Sequence, residues 1–105
     1  MEITNLSENI ILVEISREPA TVKELETLAK TAFEKNIIIS FSNVDIVKAE
    51  TLSELLKLKN LLESRNKRLI LCDMGPATES IFKVTGLNVV FEFADDIRVL
   101  MTTLS

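Results

Sequence analysis

Asn36-Ile37-Ile38-Ile39-Ser40-Phe41-Ser42-Asn43-Val44-Asp45-Ile46-Val47-Lys48-Ala49-Glu50-Thr51-Leu52 is the stretch on which the fold turns. Its first six residues are nearly continuous in apolar, β-branched character. A strand with one face in water alternates polar and apolar residues, so an unbroken run predicts a strand covered on both faces, as in a parallel sheet. Past the loop the period changes. Leu52, Leu55, Leu56, Leu58, Leu61 and Leu62 share a broad apolar face at helical spacing, and a helix is predicted over 49–64. A buried strand, a short loop and a long amphipathic helix make the first part of a crossover unit.

The same alternation continues on both sides. Upstream, Asn9 to Ser16 reads as a short β-branched strand, and Glu2 to Leu6 as an edge strand before it. Thr21 and Glu24 then have the spacing of a capping box. Val22, Leu25, Leu28, Ala29, Ala32 and Phe33 follow at helical spacing, predicting a helix to about Lys35. Downstream, Arg68 to Cys72 is a further buried strand. Gly75-Pro76 marks a turn, with Pro76 suited to a first helical position. Ala77, Ile81, Phe82 and Val84 line a short helix that Gly86 should stop, with Leu87 as the apolar contact beyond it. Val89 to Phe93 reads as the last strand. Asp95 is placed to cap a final helix carrying Ile97, Leu100, Met101 and Leu104.

Strands alternating with helices predict an α/β fold: a mixed, mostly parallel sheet of four or five strands with about four packed helices, in a single domain over residues 1–105. Ile38, Leu55, Leu71, Phe82 and Phe91 are its expected core.

The composition narrows function by what it omits. There is no histidine, which excludes the common Ser-His and Cys-His nucleophile pairs. One cysteine, Cys72, and no imidazole make a zinc site improbable and an intrachain disulfide unavailable. Cys72 ends a buried strand and reads as a small core residue. With two glycines, Gly75 and Gly86, neither a phosphate-cradling loop nor a dinucleotide fingerprint can be written. Asp95-Asp96 reads as a helix start rather than an acid–base pair. No catalytic residue, cofactor or metal is expected, and the chain is not expected to be an enzyme. The net charge of −4 disfavours nucleic acid, and Arg65, Lys67 and Arg68 read as a solvated helix end. The first residues lack the pattern of a signal peptide, and no apolar run approaches the ~20 residues of a membrane helix, so a cytoplasmic location without membrane insertion is expected.

The segment Ile37 to Leu62 resembles the central strand, loop and helix of STAS domains of the anti-sigma factor antagonist type. In that family the loop leads to a motif close to Asp-Ser-Ser-Gly-Leu at the helix start, and the second serine is the usual phosphorylation site. Here those positions read Lys48-Ala49-Glu50-Thr51-Leu52. Arg68-Leu69-Ile70-Leu71-Cys72 is similar to the family's fourth strand, and Ile81 to Phe91, with Thr85-Gly86-Leu87, to its ending. Lys48 stands at the family's aspartate, Ala49 at the first serine, Glu50 at the phosphoserine and Thr51 at the glycine. A further family aspartate, just after the second strand, is not visible in Ser16-Arg17-Glu18-Pro19-Ala20.

The resemblance implies a non-enzymatic protein-interaction module in bacterial partner-switching regulation of transcription. Its site would comprise Lys48, Ala49, Glu50, Thr51 and Ser53, and its partner would be a kinase-type anti-sigma factor. The partner expectation includes a homodimer; a structural role in a larger stressosome-like assembly and a carrier of a small nucleotide or lipid are the alternatives. Glu50 itself has two readings. A carboxylate in a first helical turn interacts well with the helix dipole. It also carries one negative charge where phosphoserine would carry about −1.5 to −2.

Overall fold

The computed structural model describes residues 1–31 and 34–104. Strands β1 (Glu2–Ser7) and β2 (Ile10–Glu14) form an antiparallel hairpin. Helix α1 (Ala20–Thr31) leads to β3 (Asn36–Ser40), α2 (Ala49–Glu63) to β4 (Leu69–Cys72), and α3 (Pro76–Val84) to β5 (Glu92–Ala94). Helix α4 (Ile97–Leu104) follows. The strands lie in sequence order, β2 through β5 all parallel, so the mixed and mostly parallel sheet is as expected. Every crossover adds its strand on the same side of the last, and right-handed connections of that kind put their helices on one face.

The register shows why the apolar runs are continuous. Ile11, Ile37 and Leu69 lie in one cross-strand row and Val13, Ile39 and Leu71 in another. These side chains meet Leu25 and Leu28 of α1, Leu52, Leu55, Leu58 and Leu62 of α2, and Phe82 of α3. Ile10, Ile38, Ile70 and Cys72 point to the opposite face, where Ile97, Leu100 and Met101 of α4 pack. Both faces of β3 are thus covered, and Ile37, Ile38 and Ile39 are fully buried. The five expected core residues, Ile38, Leu55, Leu71, Phe82 and Phe91, are all buried.

Several local expectations are corrected. Thr21 does not cap α1. The helix opens one residue earlier, and the buried Thr21 hydroxyl donates to the Ser16 carbonyl at 2.7 Å. Glu24 reaches past the helix start to the same residue, accepting from the Ser16 backbone N–H and hydroxyl, each at 2.7 Å. Helix α1 does not extend to Lys35, which lies outside helix; Ala32 and Phe33 fall outside the described residues. The Val89–Phe93 strand is replaced in its first half. Gly86, at φ +76°, turns the chain into a short 3-10 helix at Leu87–Val89, and β5 begins only at Glu92. That turn drops Phe91 into the core, edge-on to Phe82 with ring centroids 5.6 Å apart, and leaves Val89 in solvent. Val84 is likewise exposed and not part of the buried face of α3. Asp96, not Asp95, caps α4: its carboxylate accepts from the Arg98 N–H at 2.9 Å and its carbonyl from the Leu100 N–H at 3.2 Å. The Leu104 side chain is outside the described residues. The basic residues after α2 are less solvated than expected: Arg65 and Lys67 are half-buried, and Arg68 forms a two-pronged ion pair with Glu92 on β5.

Candidate protein-interaction site

The loop between β3 and α2 is anchored from inside. Phe41 donates its N–H to the Cys72 carbonyl at 3.0 Å, and Val44 closes a turn onto the Phe41 carbonyl at 2.9 Å. Val44 and Val47 are buried, whereas Ile46 between them is 52% exposed. The loop therefore has an inner, apolar side and an outer side formed by Ser42, Asn43, Asp45, Ile46 and Lys48.

Lys48 is the N-cap of α2. Its backbone is extended at φ −98°, ψ 166°, and its carbonyl accepts the Leu52 N–H at 3.2 Å. A lysine side chain has no acceptor to give the free N–H groups of a helix start. In a capping box the third helical residue, a glutamate or glutamine, reaches back to the N-cap N–H. Here that third residue is Thr51, and the carboxylate comes from elsewhere. Glu18, in the loop between β2 and α1, accepts the Lys48 N–H at 2.8 Å through Oε2, and the Thr51 hydroxyl donates to the same oxygen. The box is split between two loops 30 residues apart in sequence.

The expected site residues consequently divide. Lys48, Ala49 and Glu50 are consecutive and exposed at the first turn of α2, and Ser53 is exposed on the next turn. The Glu50 side chain makes no hydrogen bond or ion pair among the described residues, and its charge sits at the favourable end of the helix dipole. Thr51 is removed from this surface: it is fully buried, its hydroxyl committed to Glu18, so no partner can reach it in this conformation. Glu18 is the residue that sequence reasoning missed. Its only local signal is a position just after a predicted strand, and the contact that matters is across the fold.

Beside this turn, at the carboxyl ends of β3 and β4, Ser40 donates to Asp73 at 2.8 Å. Asp73 adopts a left-handed backbone at φ 59°. The Cys72 thiol is pushed up to about 12, first by burial and then by the charge and hydrogen bonding of Asp73. On the hairpin, Glu14 lies directly across from Glu2, and the hydrogen bond between the two carboxyls, with partial burial and the charges of Glu2 and Asp73, raises its pKa. A cavity of about 390 Å³ opens between β4, β5 and α3, against Met74, Phe82 and Phe93, with Asp73, Glu79 and Asp95 around it. None of its lining residues belongs to the 42–53 segment. Among the described residues, no three or more histidine, cysteine, aspartate or glutamate side chains are grouped to share a metal ion. No helix among them is long and apolar enough to cross a membrane.

A five-stranded sheet in this order, three helices on one face and an exposed turn at the start of the second, are the frame of one family. The STAS domain family model matches residues 12–99, and the chain belongs to that family. Solved structures agree on the fold. The chain is similar to the anti-sigma factor antagonist SpoIIAA of Bacillus in its unphosphorylated form, with 15% identity, a TM-score of 0.77, and coverage of 97% of this chain and 94% of that one. It is similar to a serine-to-glutamate variant of RsbS from Moorella thermoacetica, at 18% identity and a TM-score of 0.72, covering 97% and 94%. It also resembles a chain from the stressosome, described as a signal integration and transduction hub, at 17% identity and a TM-score of 0.73, covering 98% and 95%. No curated protein matches the chain by sequence.

Proposed function

We propose that this chain is a non-enzymatic protein-interaction module of the partner-switching kind, working in the bacterial cytoplasm on a kinase-type anti-sigma factor. The observation that carries the reading is the exposed turn Lys48-Ala49-Glu50 at the start of α2, in a chain of the STAS family. Glu50 displays a permanent carboxylate where the family resemblance places a reversible phosphate. The absence of histidine supports a binding role over catalysis. In this reading Glu50 holds the surface in a state close to the phosphorylated one, and it weakens any contact that phosphorylation weakens.

The test is calorimetry with the kinase-type anti-sigma factor of the source organism. Glu50→Ser should tighten binding and create a phosphate acceptor, and Lys48→Asp with Glu50→Ser should do so more completely. Unchanged affinity in both variants would leave Glu50 as a helix-start residue and sink the proposal. A second reading, as a structural subunit of a stressosome-like assembly, draws on the similarity to a stressosome chain. A large particle in size-exclusion chromatography of the native complex would favour it.

A further inference from the structure

The geometry points to Glu18 as the positioning residue of the Lys48–Glu50 surface, an inference that rests on the partner-binding role proposed above. Helix α2 starts on a residue that cannot cap it, and the acceptor arrives from the loop between β2 and α1. One oxygen of Glu18 takes both the N-cap N–H of Lys48 and the hydroxyl of Thr51, the third residue of the helix. Glu50 lies between the two residues so held. Its direction is therefore set by a carboxylate from another loop.

That loop is itself fastened. Ser16 is gripped by Glu24 through its N–H and hydroxyl, and the Thr21 hydroxyl closes onto the Ser16 carbonyl. Glu18 stands two residues beyond this clamp and has little freedom to follow a shifting helix. Its second oxygen, Oε1, is buried without a hydrogen-bond partner. An acceptor left unpaired in the interior is unfavourable. The fold tolerates it with the other oxygen committed to the helix start. A bystander acid on a loop would turn both oxygens to water.

Amide hydrogen exchange on the full chain, followed by NMR, tests this without a partner. The Lys48 N–H is read against the Ile38 N–H of the central strand, which reports global opening. Glu18→Gln keeps an acceptor of the same reach and should keep Lys48 protection within about threefold. Glu18→Asp keeps the charge but is one methylene short, and should lose about tenfold or more at Lys48, with Ile38 little changed. Both variants are mild enough to fold. Wild-type protection in Glu18→Asp, or an equal loss at Lys48 and Ile38, would overturn the assignment. Calorimetry with the kinase-type anti-sigma factor then links position to binding: Glu18→Asp should weaken it and Glu18→Gln should not. Wild-type affinity in Glu18→Asp, with Lys48 protection lost, would overturn that link. If no variant and no wild type binds, the partner-switching reading fails while the exchange pattern still decides the role of Glu18.

Discussion

The hydroxyl of Thr51 and the carboxylate of Glu18, 33 residues apart, share a hydrogen bond that turns one of the two hydroxyls nearest Glu50 on α2 into an interior group. A kinase needs a hydroxyl it can reach. Thr51 is fully buried, and Ser53, though exposed, lies three residues after Glu50, about 4.5 Å further along the helix axis than the position the resemblance assigns to the phosphate. We expect the wild-type chain to remain unphosphorylated after incubation with a kinase-type partner and ATP, as read by phosphosite mapping. Stoichiometric phosphate on Thr51 or Ser53 would contradict this.

Leu55 of α2 and Leu71 of β4 belong to the same core between the sheet and its helices, and both are fully buried. Truncating either to alanine removes apolar contact and leaves a cavity that a close-packed interior fills only in part. Each variant should lose about 2–5 kcal/mol in chemical denaturation. A loss below about 1 kcal/mol for both would mean that these positions are not packed as described.

Glu24 links stability to acid. Burial works to raise its pKa. The Ser16 N–H, the N-terminal ammonium and the Ser16 hydroxyl outweigh burial and hold it below its ordinary value of 4.5. A carboxyl lowered in the folded state stabilises the fold above its unfolded pKa, and that contribution fades as pH falls through the folded value. Glu24→Gln should cost about 0.5–1.5 kcal/mol near pH 7, and the gap from wild type should shrink steadily below pH 4.5. A gap independent of pH would show that shape, not charge, is what Glu24 supplies.

Cys72 should be chemically quiet. With its thiol pushed up to about 12, the reactive thiolate at pH 8 is on the order of one part in ten thousand. A disulfide reagent should label the native protein slowly and the denatured protein at the rate of an ordinary cysteine. Fast labelling of the native chain would show that the strand end opens readily.

Gly86 tests the chain reversal after α3. At φ +76° a side chain is strained, although nothing lies within 4 Å of where a Cβ would stand. Gly86→Ala should therefore cost about 1 kcal/mol from backbone strain alone. A stabilised variant would mean that the turn relaxes to another conformation.

The strands β3 and β4 and the helix α2 are legible in the sequence because their signals are local and strong. Ile37-Ile38-Ile39 and Leu69-Ile70-Leu71 are apolar without interruption, and the leucines of 52–62 repeat at helical spacing. The absence of histidine and the want of glycine-rich loops are legible in the same way, since no fold can supply a side chain the chain lacks. The 3-10 turn at Leu87–Val89 was hidden because Val89-Val90-Phe91 has β-branched and aromatic character whichever way the backbone runs. The turn goes with Gly86 at φ +76° and with the burial of Phe91 edge-on to Phe82, a contact that local character does not record. The cap of α1 and that of α4 each moved by local hydrogen bonding that spacing alone does not rank: Ser16 for Thr21 as the residue Glu24 reaches, and Asp96 for its neighbour Asp95.

The start of α2 shows the division most clearly. The sequence by itself determines that Lys48 cannot cap a helix, that Glu50 is charged and that Thr51 carries a hydroxyl. Which of them a partner meets was decided by tertiary structure alone. Parallel crossovers bring the ends of β2 and β3 side by side, and only there can Glu18 reach the Lys48 N–H and draw the Thr51 hydroxyl inward. A hydrogen bond acts over about 3 Å, and no periodicity along the chain records a neighbour that close in space and 30 residues away in sequence.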